Sequence, residues 1–315
     1  MSQYIFGVDL GGTTVKLGLF YTDGTLLDKW EIPTRTEDSG KYILTDIALS
    51  MNEALERHGI DHDDLMGAGL GVPGAVLDEK FVKPCVNLNG WGGFDVADRF
   101  SALCRCPVKV ANDANAAALG EMWQGGGKGS SNMVLVTLGT GVGGGVIVDG
   151  KLLTGIHGSS GEIGHLKVNP DETVVCGCGK CGCLEQYVSA TGIVNQAKRF
   201  LAACDTPSQL RRIETFSAKD VLDLAKSGDA VALQVAQSFG EILGRALAIV
   251  SCVCDPEVFV LGGGVSKAGK YLIDLVQPAF IKNAFPAAEP TRFGLAVLGN
   301  DAGIYGAAKL VLDNR

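Results

Sequence analysis

Several groups of residues in this chain have side chains and spacings suited to chemistry. The first is Asp9-Leu-Gly11-Gly12-Thr13-Thr14-Val-Lys16. Apolar runs precede and follow it, so Gly11 to Thr14 read as the tip of a β-hairpin. Glycine lets backbone N–H groups approach phosphate oxygens, and the Thr hydroxyls and Lys16 add donors. A second tip, Thr137-Leu-Gly139-Thr140-Gly141, has the same character. A two-residue turn would close either hairpin, so the surplus of Gly and Thr favours phosphate over an ordinary turn. Asp9 beside bound phosphate is unfavourable unless Mg²⁺ or Lys16 intervenes; the plainer reading is a hydrogen-bonded turn residue. Gly139, Gly141 and Gly144 spell G-x-G-x-x-G, but a strand follows where a dinucleotide fold needs a helix. No Gly-Lys-Ser/Thr closes either loop, which excludes a Walker loop.

Asn112-Asp113-Ala-Asn joins an apolar strand to an Ala-rich helix. Asn and Asp are preferred helix caps, and capping alone would explain them. The functional reading makes Asp113 a base for a hydroxyl proton, kept ionised by the helix N-terminus. The two are compatible, because α/β folds place chemistry at strand ends. The last group is His165 with Cys176, Cys178, Cys181 and Cys183. Four thiols within eight residues and a nearby His suit a closed, structural zinc site, and five donors for four places leave the ligand set open. Glu162 and Glu185 flank this loop and suit sugar hydroxyls; alone, each would read as a solvated surface residue. His58, His62 and His157 read as surface or turn residues, and Cys104, Cys106, Cys252 and Cys254 as small buried apolar residues.

Composition bounds these readings. The chain has 315 residues, 46% hydrophobic and 20% charged, as in an ordinary globular protein. With 27 Lys and Arg against 35 Asp and Glu the net charge is −8, which disfavours nucleic acid as a partner. The first ten residues lack the cationic and apolar regions of a signal peptide. No run of about 18 apolar residues suggests a membrane span, so the expected location is the cytoplasm. The 44 glycines cluster beside apolar runs, as expected of strand-to-loop junctions.

The elements that must position these residues follow from periodicity. Residues 4–27 and 133–153 echo each other: apolar strand, Gly/Thr tip, second strand, Asp-Gly turn, start of a third strand. Helical spacing marks 41–58, 186–204, 229–254 and a short C-terminal helix from 303 to 312. Strands are expected at 67–72, 108–111 and 257–261, and the alternation makes the class α/β. The echo suggests two lobes. One is a small N-terminal lobe, 1–112, with the helix at 301–315 packing back on it. The other is a larger lobe, 113–300, carrying the cysteine loop.

Taken together, the chain resembles the ROK family of bacterial sugar kinases, within the actin and hexokinase superfamily. The resemblance runs along essentially the whole sequence. Its most specific parts are Glu162-Ile-Gly-His165 and the pattern from Cys176 to Glu185; Asp9 to Thr13, Val72-Pro-Gly74 and residues 112–117 agree in order. It implies a two-lobed actin/hexokinase-like (ribonuclease H-like) fold with a ligand cleft between the lobes. The implied reaction is ATP- and Mg²⁺-dependent phosphorylation of glucose at O6. Alternatives are another sugar, such as N-acetylmannosamine or fructose, or a non-catalytic sugar-binding regulatory module.

The resemblance also implies roles. Asp113 is the catalytic base, and Asn112, Glu162, His165 and Glu185 bind sugar with help from Gly74 and Asn87. Asp9, Gly11, Gly12, Thr13, Thr14 and Lys16 form one nucleotide loop, and Thr137, Gly139, Thr140 and Gly141 the other. Gly262, Gly263 and Gly264 sit against adenosine. Zinc takes His165, Cys176, Cys178 and Cys183, leaving Cys181 free, and the assembly is a homodimer. Repressors of the family carry an added DNA-binding segment, for which the eight residues before Asp9 leave no room.

Overall fold

The computed structural model describes residues 3–313. Met1, Ser2, Asn314 and Arg315, at the ends of the expected first strand and last helix, lie outside the described residues. In chain order the elements are β1 (Tyr4–Leu10), β2 (Thr14–Tyr21), β3 (Leu26–Pro33), α1 (Glu37–Gly40), α2 (Ile43–His58), β4 (Leu65–Val72), β5 (Val76–Leu77), β6 (Phe81–Val82), β7 (Phe94–Asp95), α3 (Val96–Cys104), β8 (Val108–Asn112) and α4 (Asp113–Gln124). Then follow β9 (Met133–Leu138), β10 (Val142–Val148), β11 (Lys151–Leu152), α5 (Glu185–Val188), α6 (Ala190–Ala203), α7 (Ala218–Lys226), α8 (Ala230–Cys254), β12 (Val258–Gly262), α9 (Lys270–Asn283), β13 (Arg292–Leu295) and α10 (Ala302–Leu312).

The chain divides into two compact units. Unit 1 comprises Met1–Ser131, Gly145–Gly161 and Leu298–Arg315; unit 2 comprises Asn132–Gly144 and Glu162–Val297. The sequence echo is visible in the sheets. In unit 1 the order is β3-β2-β1-β4-β8, with β1, β2 and β3 antiparallel and β4 and β8 added in parallel. The second sheet repeats that order as β11-β10-β9-β12-β13, with β12 parallel to both β9 and β13. The chain passes from unit 2 to unit 1 within β10, after Gly144.

Unit 1 buries Phe6, Val8, Leu17, Leu19 and Leu70 against α2, whose Ile43, Ile47, Met51, Ala54 and Leu55 are all buried at the expected helical spacing. Each of these Val, Leu, Ile, Phe and Met side chains contributes about 1.5–3 kcal/mol of transfer free energy, and Ala54 less. The glycines do more than turn the chain. A Cβ at Gly7 or Gly69 would lie 1.9 or 1.7 Å from a carbonyl oxygen of α10, and one at Gly306 would lie 1.5 Å from that of Ala116. Glycine inside strands and helices therefore brings α10 onto β1, β4 and α4.

Two expectations need correction. The helix expected at 186–204 is two, α5 and α6. Ser189 between them is extended; its Oγ accepts from Gly192 N–H and donates to the Glu185 carbonyl, which caps α6 and ends α5. Cys252 is exposed and Cys254 half-buried, both in the last turn of α8; Cys104 and Cys106 are buried as expected. The 25-residue α8 is long and apolar enough to cross a membrane, although no uninterrupted apolar run announces it. Half of its most apolar window is buried, and it packs on α6, α7 and α9. The small sheet β5-β6-β7 left no trace in the periodicity, since two-residue strands are too short to alternate.

Candidate active site

In unit 1, β1 ends with Asp9 opposite Lys16 on β2. Gly11 N–H donates to the Thr14 carbonyl (3.0 Å), closing a tip that leaves Gly12 and Thr13 exposed. Lys16 donates to the Asn300 carbonyl (3.0 Å) just before α10. Burial pushes the Asp9 carboxyl up to about 6, Lys16 opposes the shift, and the charge of Asp113 adds to it. The two carboxylates therefore share one electrostatic environment.

Asp113 is exposed at the first position of α4, and one of its oxygens accepts from Ala114 N–H (2.8 Å). Asn112 caps the same helix: its Oδ1 accepts from Ala114 and Asn115, and its Nδ2 donates to the Gly74 carbonyl (3.2 Å). Its amide thus ties the loop after β4 to the start of α4. A Cβ at Gly74 would fall 2.5 Å from Cys85 Sγ. Burial, with help from the charge of Asp113, pushes the Cys85 thiol up to about 11, so it stays protonated. Asn87 is exposed, and its carbonyl lies 3.2 Å from where a Cβ on Gly12 would sit. Within unit 1, Asp9 and Asp113 are thus coupled by charge, Gly74 is tied to the start of α4 through Asn112, and Gly12 lies against the Asn87 carbonyl.

In unit 2 the second tip is tied to α6. The Gly139 carbonyl accepts from Ala190 N–H (2.8 Å), and the Thr140 carbonyl from the Thr191 hydroxyl (3.0 Å). Ala190 also lines a cavity of about 230 Å³ with Ala218, Leu222, Gly264, Val265 and Ala268. The cavity wall is largely apolar, so a phosphate-type tip adjoins a pocket suited to a planar base. Of the expected triplet, Gly264 lines this pocket; Gly263 has a positive φ (81°) and backs onto Leu138. Gly262 ends β12 beside Thr137 of β9.

Glu185 opens α5, and its Oε2 would lie 2.8 Å from a Cβ on Gly141. Its Oε1 accepts from the Cys176 thiol (2.9 Å) and lies 3.8 Å from His165 Nδ1. The other ring nitrogen of His165, Nε2, is 3.9 Å from Glu162 Oε2. The donor atoms of His165, Cys176, Cys178 and Cys183 all lie within 4.8 Å of one another, and the sulfurs of Cys178 and Cys183 are 3.5 Å apart. Sulfurs on a tetrahedral zinc with bonds of about 2.3 Å sit about 3.8 Å apart, so the donor set fits that ion. Cys181 stands outside the cluster, its sulfur 3.8 Å from the Thr173 carbonyl.

The sequence model of the ROK family matches residues 5–314. The chain belongs to the ROK family. It is 44% identical to the glucokinase of Halalkalibacterium halodurans, over 98% of this chain and 95% of that one. Among solved structures it is similar to a ROK family glucokinase from Streptomyces griseus in complex with glucose and AMPPNP. That likeness has a TM-score of 0.74 and 32% identity, over 99% of this chain and all of that one. It is also similar to the ROK hexokinase of Thermus thermophilus, with a TM-score of 0.80 and 30% identity over 99% and 100% of the two chains. The fold is accordingly of the actin/hexokinase type.

Sequence reasoning missed several residues around these ROK-family motifs. Gly303 packs on Asp9, Cys85 lies under Gly74, and Ala218 and Leu222 of α7 line the unit 2 cavity. For α7 a local signal exists: Ser217 and Asp220 form a capping box. For Gly303 and Cys85 no local signal exists.

Proposed function

We propose that this chain is an ATP-dependent glucokinase that transfers the γ-phosphoryl group to O6 of glucose. The observation that carries the reading is the placement of Asp113. It is an exposed carboxylate at a helix N-terminus, electrostatically coupled to the half-buried Asp9 beside a phosphate-type tip. The likeness to glucokinases along the whole chain supports glucose as the sugar.

In this reading Asp113 accepts the proton of the 6-hydroxyl as that oxygen attacks the γ-phosphorus in line. The exposed N–H groups of Gly12 and Thr13, and those of the second tip, take the phosphate oxygens. In unit 2, Glu162, His165 Nε2 and Glu185 hold sugar hydroxyls; in unit 1 the loop of Gly74 and Asn87 is the one assigned to sugar. The cavity beside Ala190 and Gly264 takes the adenine. Asp9 is the residue that would hold Mg²⁺, whose charge offsets that of the phosphates. A half-buried carboxylate held up near 6 is the state a bound cation would relieve. His165, Cys176, Cys178 and Cys183 would hold zinc, which fixes the loop bearing the sugar ligands and takes no part in transfer. Most of the rate then comes from positioning and electrostatics. We infer a cytoplasmic enzyme, where ATP is available, and a homodimer, as the family resemblance implies.

The test is ADP release with Mg-ATP across glucose, mannose, fructose, N-acetylglucosamine and N-acetylmannosamine. Strong preference for glucose is the expected result. Preference for another sugar would replace the substrate, and no sugar-stimulated release from zinc-loaded protein would overturn the kinase reading.

A further inference from the structure

Cys104 is the last residue of α3, and Cys106 stands just before β8. Arg105 between them has left-handed backbone (φ 55°), which folds the chain back on itself. The two sulfurs lie 3.4 Å apart. Both side chains are buried, Cys104 to 1% and Cys106 to 6% exposure, while Arg105 and Pro107 are exposed. The backbone holds this turn independently of the sulfurs. Ser101 Oγ donates to the Cys106 carbonyl (2.7 Å), and Ala68 N–H of β4 donates to the Pro107 carbonyl (2.9 Å). A disulfide bond is about 2.05 Å long, so each sulfur would need to move only about 0.7 Å to close one. Neither thiol has a part in the proposed transfer, and the pair lies in unit 1, whereas the zinc-type cluster lies in unit 2.

We propose that Cys104 and Cys106 form a modification site, a dithiol that hydroperoxides oxidise reversibly to an intrachain disulfide. The Cys104 thiolate attacks one peroxide oxygen and the O–O bond breaks, giving a sulfenic acid and, after protonation, water. The Cys106 sulfur then attacks the Cys104 sulfur. The S–O bond breaks, and a second water leaves with the thiol proton. The balance is two thiols and one hydrogen peroxide to one disulfide and two waters, a two-electron oxidation. The hydrogen bond from Cys106 holds the Cys104 thiol below its ordinary range, which favours Cys104 as the attacking group. Burial makes the first step slow, because peroxide enters only when the exposed turn opens. Contact between the sulfurs makes the second step fast, so the pair closes before Cys104 is oxidised further.

The test uses zinc-loaded protein, hydrogen peroxide, alkylation of the remaining thiols, and a tryptic digest without reductant. Trypsin cuts after Arg99, Arg105 and Lys109, so the two cysteines fall on separate peptides, 100–105 and 106–109. The expected result is the Cys104–Cys106 link, as these two peptides joined or as 100–109 left uncut inside the three-residue ring, in either case about 2 Da lighter than the reduced form. It should disappear with dithiothreitol and be absent from Cys104→Ser, and the circular dichroism of the oxidised protein should be unchanged. Both peptides alkylated while exposed Cys252 is oxidised would overturn the proposal. So would sulfinic or sulfonic acid on Cys104 without the link, or a link from Cys106 to another cysteine in the wild type. This readout does not depend on kinase activity, so it stands or falls apart from that reading.

Discussion

The carboxyl group of Asp9 packs directly on Gly303: a Cβ at position 303 would lie 2.7 Å from Asp9 Cγ and 2.8 Å from Oδ2. The end of β1 and the first turn of α10 are thus fitted around one acidic side chain. Gly303→Ala would push the carboxylate aside or move α10 off the sheet. Overpacking of this kind costs about 1–3 kcal/mol. The expected outcome is a lower melting temperature and at least a tenfold loss of kcat/KM for Mg-ATP, with a smaller effect on glucose KM. Unchanged kinetics would show that Asp9 needs no fixed position.

Asp9 also sets a pH dependence. Its carboxyl stands at about 6 against an ordinary value of 3.8, because burial disfavours the charge. A carboxyl raised by folding contributes stability in its neutral state. That contribution is full below about 4 and is lost as pH rises through about 6. Asp9→Asn should therefore melt higher than wild type at pH 7.5 without ligands, and the gap should close by pH 4. Activity runs the other way, since cation binding needs the carboxylate. Wild-type kcat/KM for Mg-ATP should fall as pH drops through 6, and Asp9→Asn should be nearly inactive throughout.

Asp113 is the proton acceptor in the proposed transfer, and a positioned base is worth about 10²- to 10⁴-fold. Asp113→Ala should lose that much kcat while glucose still binds, as measured by calorimetry. Retained turnover would remove Asp113 from its role.

How much of this was legible is instructive at particular residues. The two Gly/Thr tips, the Asn112-Asp113 helix start and the cysteine loop are local patterns, and the structure forms each where the sequence carries it. Their contacts were not legible. Asp9 and Gly303 sit near opposite ends of the chain, and nothing in either segment announces the other. The cap at Ser189 shows a different limit. Apolar spacing runs through it, but one hydroxyl serving both α5 and α6 decides that the helix breaks. Cys181 could be separated from the other thiols by spacing alone in no way, and only the folded loop turns it towards Thr173.

That geometry makes the metal set testable. Purified protein should carry about one zinc per chain by elemental analysis, with four protein donors closing the site. Cys181→Ser should keep it. Cys178→Ser and Cys183→Ser should lose it, and with it most glucose affinity, because Glu185 and His165 flank the same cluster. Zinc lost from Cys181→Ser would mean that the ligand set is different.

The cavity between α7 and the segment after β12 provides the sharpest separation of substrates. Ala190 touches both this cavity and the Gly139 tip, so a base in the one places its phosphates towards the other. Ala218 and Leu222 line its α7 side, far in sequence from every motif that suggested a nucleotide. Ala218→Trp would fill much of a cavity of about 230 Å³ without touching Glu162, His165 or Glu185. KM for ATP should rise at least tenfold while glucose affinity, measured without nucleotide, stays within twofold. A matching loss of glucose affinity would mean that the substitution disturbs unit 2 as a whole. Unchanged KM for ATP would move the adenine out of this cavity.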